Sequence, residues 1–261
     1  MLLTYIIVLF TGVIVGILST VLGVGGGIVM VPVLTLILPY SHLEAVATSL
    51  ATIFLVASLN TFHFQKAGLI VWRIVPWIVI TSSLFSFLAA RVAILLPEKI
   101  LIVVFICVLL WVAIQTFLIN SKIEIKTTSA PVKIVPLSIG ALIGTISGMT
   151  GVGGGAITTP LMLISALVKN LQATPTSNAI MIFTTLFGSI SFALTHTSGA
   201  AGLTLGFIHL DTALVLFCGS ALFARYGVKI NQQLSLYWRK TALGLLLLLI
   251  CLRLIIMLIN Q

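Results

Sequence analysis

The chain contains the same segment twice. Residues 12–51 align without a gap on residues 140–179, at a constant offset of 128. Gly16/Gly144, Ser19/Ser147, Pro32/Pro160, Leu43/Leu171, Ala45/Ala173, Thr48/Thr176 and Ser49/Ser177 are identical pairs. Between them Gly23-Val24-Gly25-Gly26-Gly27 returns as Gly151-Val152-Gly153-Gly154-Gly155. Roughly a third of the aligned positions match, too many for an unrelated apolar background. Duplicated, glycine-interrupted hydrophobic segments are the best sequence-level pointer to a transporter's binding site.

Composition decides the solvent. Hydrophobic residues make up 60% of the chain and charged residues 7%, against about 25% charged in average globular domains. Residues 2–22, 74–96, 100–119 and 241–259 are nearly unbroken apolar runs of about bilayer length. The fold class expected is therefore an all-α polytopic membrane protein. Its net charge of +9 does not argue for nucleic acid, because the cations sit at segment ends and form no basic face. Cys107, Cys218 and Cys251 lie inside apolar segments without paired spacing, so buried free thiols are expected and no disulfide or metal motif. The N-terminus lacks a basic region and a small-residue cleavage site, and reads as a first membrane segment rather than a signal peptide.

Each repeat reads as a long helix, the glycine break, a short helix and three more apolar helices. The first-half segments are 3–22, 28–38, 43–64, 70–95 and 99–120. Those of the second half are 135–150, 156–168, 172–195, 206–226 and 237–259. This gives a first transmembrane repeat over 1–120, a polar linker over 121–133 and a second repeat over 134–261. If the first two pieces of each repeat fold back as a hairpin with no net crossing, about ten cations fall on one side and three on the other. A single broken crossing would reduce that bias to about eight against five. The hairpin is preferred. It places the N-terminus in the periplasm and the linker in the cytoplasm. Arg91 aligns with Arg225 at an offset of 134, yet the two fall on opposite faces, so the halves are expected to be inverted.

Consecutive glycines let backbone N–H groups approach a bound group, and each run opens a short helix with unpaired N–H groups and a positive dipole end. Two converging ends favour an anion without a lysine or arginine. The candidate substrate-binding residues are Gly25, Gly26, Gly27, Gly153, Gly154 and Gly155. Thr48, Ser49, Thr176, Ser177 and Asn178 join them as side-chain donors early in the following helix. The bland alternative is that the glycines serve helix packing and the hydroxyls bond their own helix. Ser19 and Ser147, four residues before each run, carry the same two readings, and Thr158-Thr159 a weaker version. Glu44, Glu98, Glu124 and Asp211 all fall at segment ends, so no mid-membrane carboxylate offers a cation site or proton relay. His42, His63, His196 and His209 also fall near loops and read as interfacial residues. Walker A, dinucleotide, G-x-S-x-G, His-Glu-x-x-His and CxxC patterns are absent. No catalytic residue, cofactor or metal is implied, so the chain does not read as an enzyme.

With these residues in view, the chain resembles the sulfite exporter TauE/SafE family, also called the 4-toluenesulfonate uptake permease family. Gly16, Gly23, Gly25-Gly26-Gly27, Pro32, their copies Gly144, Gly151, Gly153-Gly154-Gly155 and Pro160, and the Ala-Arg pairs at 90–91 and 224–225 carry the resemblance, which spans essentially the whole chain. It implies a bacterial inner-membrane permease for small sulfur-containing or carboxylate anions. Residues 81–90 lack the glycines of corresponding family helices, which argues against close packing there. The resulting expectation is a secondary transporter of sulfite or an organosulfonate working by alternating access. Export is preferred on the family's name alone. A non-transporting scaffold and a passive anion channel are the alternatives. Substrate and lipid bilayer are the expected partners, nucleic acid is excluded, and homo-oligomerisation is left open.

Overall fold

Apolar runs in lipid must satisfy their own backbone, and these do so as helices. The computed structural model describes residues 2–22, 25–118, 133–195, 203–233 and 236–259. The first half contains α1 (Leu2–Leu22), α2 (Gly27–Leu36), α3 (His42–Lys66), α4 (Val75–Leu95) and α5 (Glu98–Leu118). The second contains α6 (Ile134–Thr150), α7 (Gly155–Ile164), α8 (Asn170–Ala193), α9 (Leu210–Gln233) and α10 (Leu236–Ile259). Among the described residues five helices, α1, α3, α4, α5 and α8, are long and apolar enough to cross a membrane. The protein is thus a multi-pass membrane chain. Except for Lys133, the linker expected over 121–133 lies outside the described residues.

Local chemistry sets the boundaries. Ser41 caps α3 through a capping box with Glu44, which satisfies two orphan N–H groups at once. Pro76 sits in the first turn of α4, so that helix starts at Val75 and not at 70. The second-half helix expected from 206 also starts late. Thr204–Leu205 (β1) and Ile208–His209 (β2) instead pair as a short antiparallel hairpin, Thr204 opposite His209. Gly206 turns it at φ 58°, a left-handed conformation that glycine accepts without strain, and α9 follows at Leu210.

The two halves exchange partners. Helix α1 packs on α9 and α6 on α4, α3 contacts α9 and α8 contacts α4, and α3 packs on α8. A Cβ at Gly12 would meet the Leu216 carbonyl and one at Gly16 the Ser220 carbonyl. In the other half Gly140 backs onto the carbonyl of Ile78, Gly144 onto that of Ser82 and Gly148 onto that of Ser86. Both pairs of helices run parallel. This register matches Ser82 with Ser220, an offset of 138, so the structural counterpart of Arg91 is Lys229 and not Arg225. The two alignments differ by about one helical turn, which keeps the same face inward. Residues 81–90 lack glycine but still pack closely, because α6 supplies the glycines. Close backbone approach through small residues is how helices associate in lipid.

Helices α3 and α8, equivalent by the repeat, cross antiparallel. Leu50 lies against Gly188, and ten residues further on Asn60 Nδ2 donates to Asn178 Oδ1 at 3.2 Å. Replacing Gly144 with Val drives a side chain into the Ser82 backbone and is expected to cost about 1–3 kcal/mol. Thermal unfolding in detergent would show a lowered midpoint, while Leu142→Ile on the exposed face of α6 leaves it unchanged.

Candidate functional site

At each glycine break the long helix ends, and α2 or α7 begins from glycines in the left-handed region. Gly25 and Gly26 have φ 82° and 84°, Gly153 and Gly154 both 80°. Gly26 and Gly154 are the N-caps of α2 and α7, and no side chain caps either helix. Each short helix has ten residues, about 15 Å, or half the hydrocarbon thickness. The two breaks touch. A Cβ on Gly27 would strike the Gly151 carbonyl oxygen and stand 2.7 Å from Val152 Cα, and one on Gly25 would stand 3.2 Å from the Val152 carbonyl oxygen. The electropositive start of α2 therefore lies backbone to backbone against Gly151–Val152, the C-cap of α6 and the residue after it, three residues before α7 begins from its own uncapped end.

The side chains expected as donors are all fully buried, and they tie the breaks to the surrounding helices. Ser49 Oγ donates to the Gly151 carbonyl at 2.8 Å, linking α3 to the opposite half's break. Ser177 Oγ lies 3.5 Å from the Gly155 carbonyl. Thr48 Oγ1 accepts the His209 N–H at 3.1 Å, and Thr176 Oγ1 accepts the Val71 N–H at 3.1 Å. These two bonds are repeat equivalents, and each fastens the segment before α9 or α4 to the start of α3 or α8. Asn178 Nδ2 donates to the Thr174 carbonyl. Thr158 Oγ1 donates to the Gly154 carbonyl, and buried Thr159 Oγ1 has no partner among the described residues. Asn60 was not among the sequence candidates. Its Nδ2 reaches Ser19 Oγ at 3.1 Å and Asn178 Oδ1. Eleven residues, about three helical turns, separate it from Ser49, so a lone amide on that face was the available signal.

The ends of the bundle differ in charge. At the N-terminal end of α3, Glu44 lies 3.4 Å from His209 Nε2, Tyr5 donates to Asp211, and Glu98 accepts the His42 N–H. These carboxylates cap or pair at segment ends as expected; Glu124 and His196 lie outside the described residues. Burial pushes the phenol of Tyr40 above its ordinary pKa; its hydroxyl stays paired with that of Thr212 at 2.7 Å. At the opposite end the repeat equivalents of Tyr5 and Asp211 are Lys133 and Arg73, joined by Lys66 and Lys169. His42, the first residue of α3, lies near a loop as expected and is buried there against Phe105 in a T-shaped ring contact. One expectation needs correction. Cys107 and Cys218 are exposed and only Cys251 is buried, since a lipid-facing helix surface is as apolar as its core side.

The family described as Sulfite exporter TauE/SafE matches residues 8–254, a span that includes both breaks. The chain belongs to the TauE/SafE family. It is a membrane transporter of that family by its match and by its apolar spans. Its relatives include a probable membrane transporter protein of Methanocaldococcus jannaschii, 26% identical over 88% of this chain and 87% of the relative. A probable membrane transporter protein of Haemophilus influenzae is 28% identical over 94% and 93%. Another, from Sinorhizobium fredii, is 34% identical over 48% and 51%. No solved structure matches significantly. In this TauE/SafE chain Thr48→Val would strand the His209 N–H, at an expected cost of about 1–3 kcal/mol. Amide exchange at His209 should then accelerate, and an unchanged rate would show that the bond contributes nothing.

Proposed function

We propose that the protein is a secondary transporter that exports a small anion, sulfite or an organosulfonate, across the inner (plasma) membrane by alternating access. The observation that carries this reading is the contact of the two glycine breaks, Gly27 against Gly151–Val152, which brings together two loops that each open a short helix from an uncapped glycine end inside an apolar bundle. Backbone N–H groups at such ends favour anions over cations, and the carboxylates Glu44, Glu98 and Asp211 lie in the first turns of α3, α5 and α9. Gly25, Gly26, Gly27, Gly153, Gly154 and Gly155 form the backbone cradle. Thr48, Ser49, Thr176, Ser177 and Asn178 hold it in register and offer donors when the halves part. Export rests on the family's description.

Residues 1–120 and 134–261 act as two inverted halves in this reading, joined by a cytoplasmic linker over 121–133, with the N-terminus periplasmic. The antiparallel crossing of α3 and α8 supports inversion, because the two are repeat equivalents. The end bearing Lys66, Arg73, Lys133 and Lys169 is the cytoplasmic one by the positive-inside rule. With Gly27 and Gly151 in contact the described conformation is closed around the site. Rocking one half on the α3/α8 crossing opens it to one side at a time.

Purified protein in proteoliposomes should give saturable sulfite or sulfonate flux. Gly26→Val and Gly154→Val should each lower it at least tenfold: a Cβ at Gly26 meets Val15, one at Gly154 stands 2.5 Å from Ile143 Cγ2, and both need φ near +80°. Full transport by the folded variants would defeat the site. Voltage-driven current without counterflow would mark a channel, and no flux or anion-dependent thermal shift a scaffold. Sidedness has its own check, in a chain whose native cysteines are replaced by serine. A cysteine at Lys66 should react with an impermeant thiol reagent only after permeabilisation, and one at Leu205 in intact cells; equal reactivity would rule out inversion.

A further inference from the structure

The halves differ at one buried position on the facing sides of α3 and α8. Asn60 in α3 and Gly188 in α8 are equivalents at the offset of 128, as are Ser19 and Ser147. In the first half the Asn60 amide occupies the space beside Ser19 and bonds its hydroxyl. In the second half position 188 has no side chain, and Ser147 Oγ, fully buried, has no hydrogen-bond partner among the described residues. Ser86 Oγ, from α4, is in the same condition and lies 2.7 Å from where a Gly188 Cβ would stand. Its own carbonyl backs onto Gly148, the neighbour of Ser147. Ser147 Cβ in turn lies 3.7 Å from the position of a Gly154 Cβ, at the glycine end of α7.

Serine and threonine in membrane helices ordinarily donate to a carbonyl one turn back, as Thr52, Ser58 and Thr185 do here. Ser86 and Ser147 do not, and an unpaired buried hydroxyl in a native structure requires an explanation. We propose that the anion sits off the pseudo-two-fold within the shared backbone cradle, toward the glycine end of α7, where the Ser86 and Ser147 hydroxyls donate to it and Gly188 offers no amide to bond them as Asn60 bonds Ser19 in the first half. This deepens the transport reading and rests on it. The polarity agrees. Ser86 and Ser147 supply two O–H donors, suited to two oxygens of a sulfite or sulfonate group. On the Asn60 amide that bonds Ser19, the unpartnered atom is Oδ1, an acceptor that repels an anion. In the described conformation Ser86 and Leu50 close over Gly188, so loading requires Ser86 to turn outward as the halves separate.

Sulfite binding to the detergent-purified full chain, measured calorimetrically, tests the assignment. Ser86→Ala and Ser147→Ala should each weaken affinity about tenfold, the loss of one hydrogen bond to a charged ligand. Neither should lower the anion-free unfolding midpoint, because neither breaks an intramolecular bond. Ser147→Thr keeps the hydroxyl and should bind within about threefold of wild type. Ser19→Ala, the symmetry mate, loses a hydrogen bond and some stability, yet should leave affinity within about twofold. Unchanged affinity in both alanine variants of Ser86 and Ser147, or an equal loss in Ser19→Ala, overturns the one-sided site and leaves the transport reading standing. If wild type binds neither sulfite nor any sulfonate, thiosulfate or short carboxylate tried beside it, the transport reading fails and this assignment with it.

Discussion

Backbone polar groups that leave helical pairing halfway through a bilayer have nowhere to go except into protein or water. Each half of this chain stops a helix inside the bundle and begins a new one, and each break would be costly if it faced lipid. The solution is mutual shelter. Gly27 and Gly25 lie on the Gly151–Val152 backbone, and Ser49 donates to the Gly151 carbonyl. The glycines are required twice over, by φ near +80° at Gly26 and Gly154 and by a contact that leaves no space for a Cβ. Much of the rest of the architecture keeps these two loops together. The partner exchange between α1/α9 and α6/α4, and the crossing of α3 with α8, both bring the second break to the first.

Close packing in lipid cannot draw on the hydrophobic effect, because lipid tails are as apolar as the side chains they would replace. The chain substitutes geometry. Gly12, Gly16, Gly140, Gly144 and Gly148 let two helix pairs approach backbone to backbone, and sparse polar bonds such as Thr184 to Ser82 at 2.8 Å fix their register. Polar bonds of this kind pin an arrangement more than they drive it.

Much of this arrangement could be read from the residues. The duplicated glycine run located both breaks, and the apolar lengths gave nearly every helix to within a few residues. What could not be read depended on contacts between distant segments. The true offset of α4 and α9 is fixed by which carbonyl faces Gly144 or Gly16, and an Ala-Arg coincidence one turn away gave a competing register. Hydropathy cannot separate a helix start from the hairpin at 204–209, since Ile208 and Leu205 suit either. Nor does it tell a lipid-facing cysteine from a core one. The hydroxyls of Thr48 and Thr176 were expected near the glycine tips. They accept N–H groups from the segments before α9 and α4, partners separated from them by more than one hundred residues.

The uneven charge of the two ends has an effect beyond orientation. Lys66, Arg73, Lys133 and Lys169 lie at one end of the bundle, while Glu44, Glu98 and Asp211 sit at the other together with Arg91 and Lys99. A cationic rim raises the local concentration of anions and accelerates their arrival, and that gain fades as salt screens it over about 10 Å. For the anion transport proposed above, ionic strength should then slow capture at the lysine-rich end more than at the charge-balanced one. The proposed pair of inverted halves would then acquire a preferred direction of loading from its rims alone.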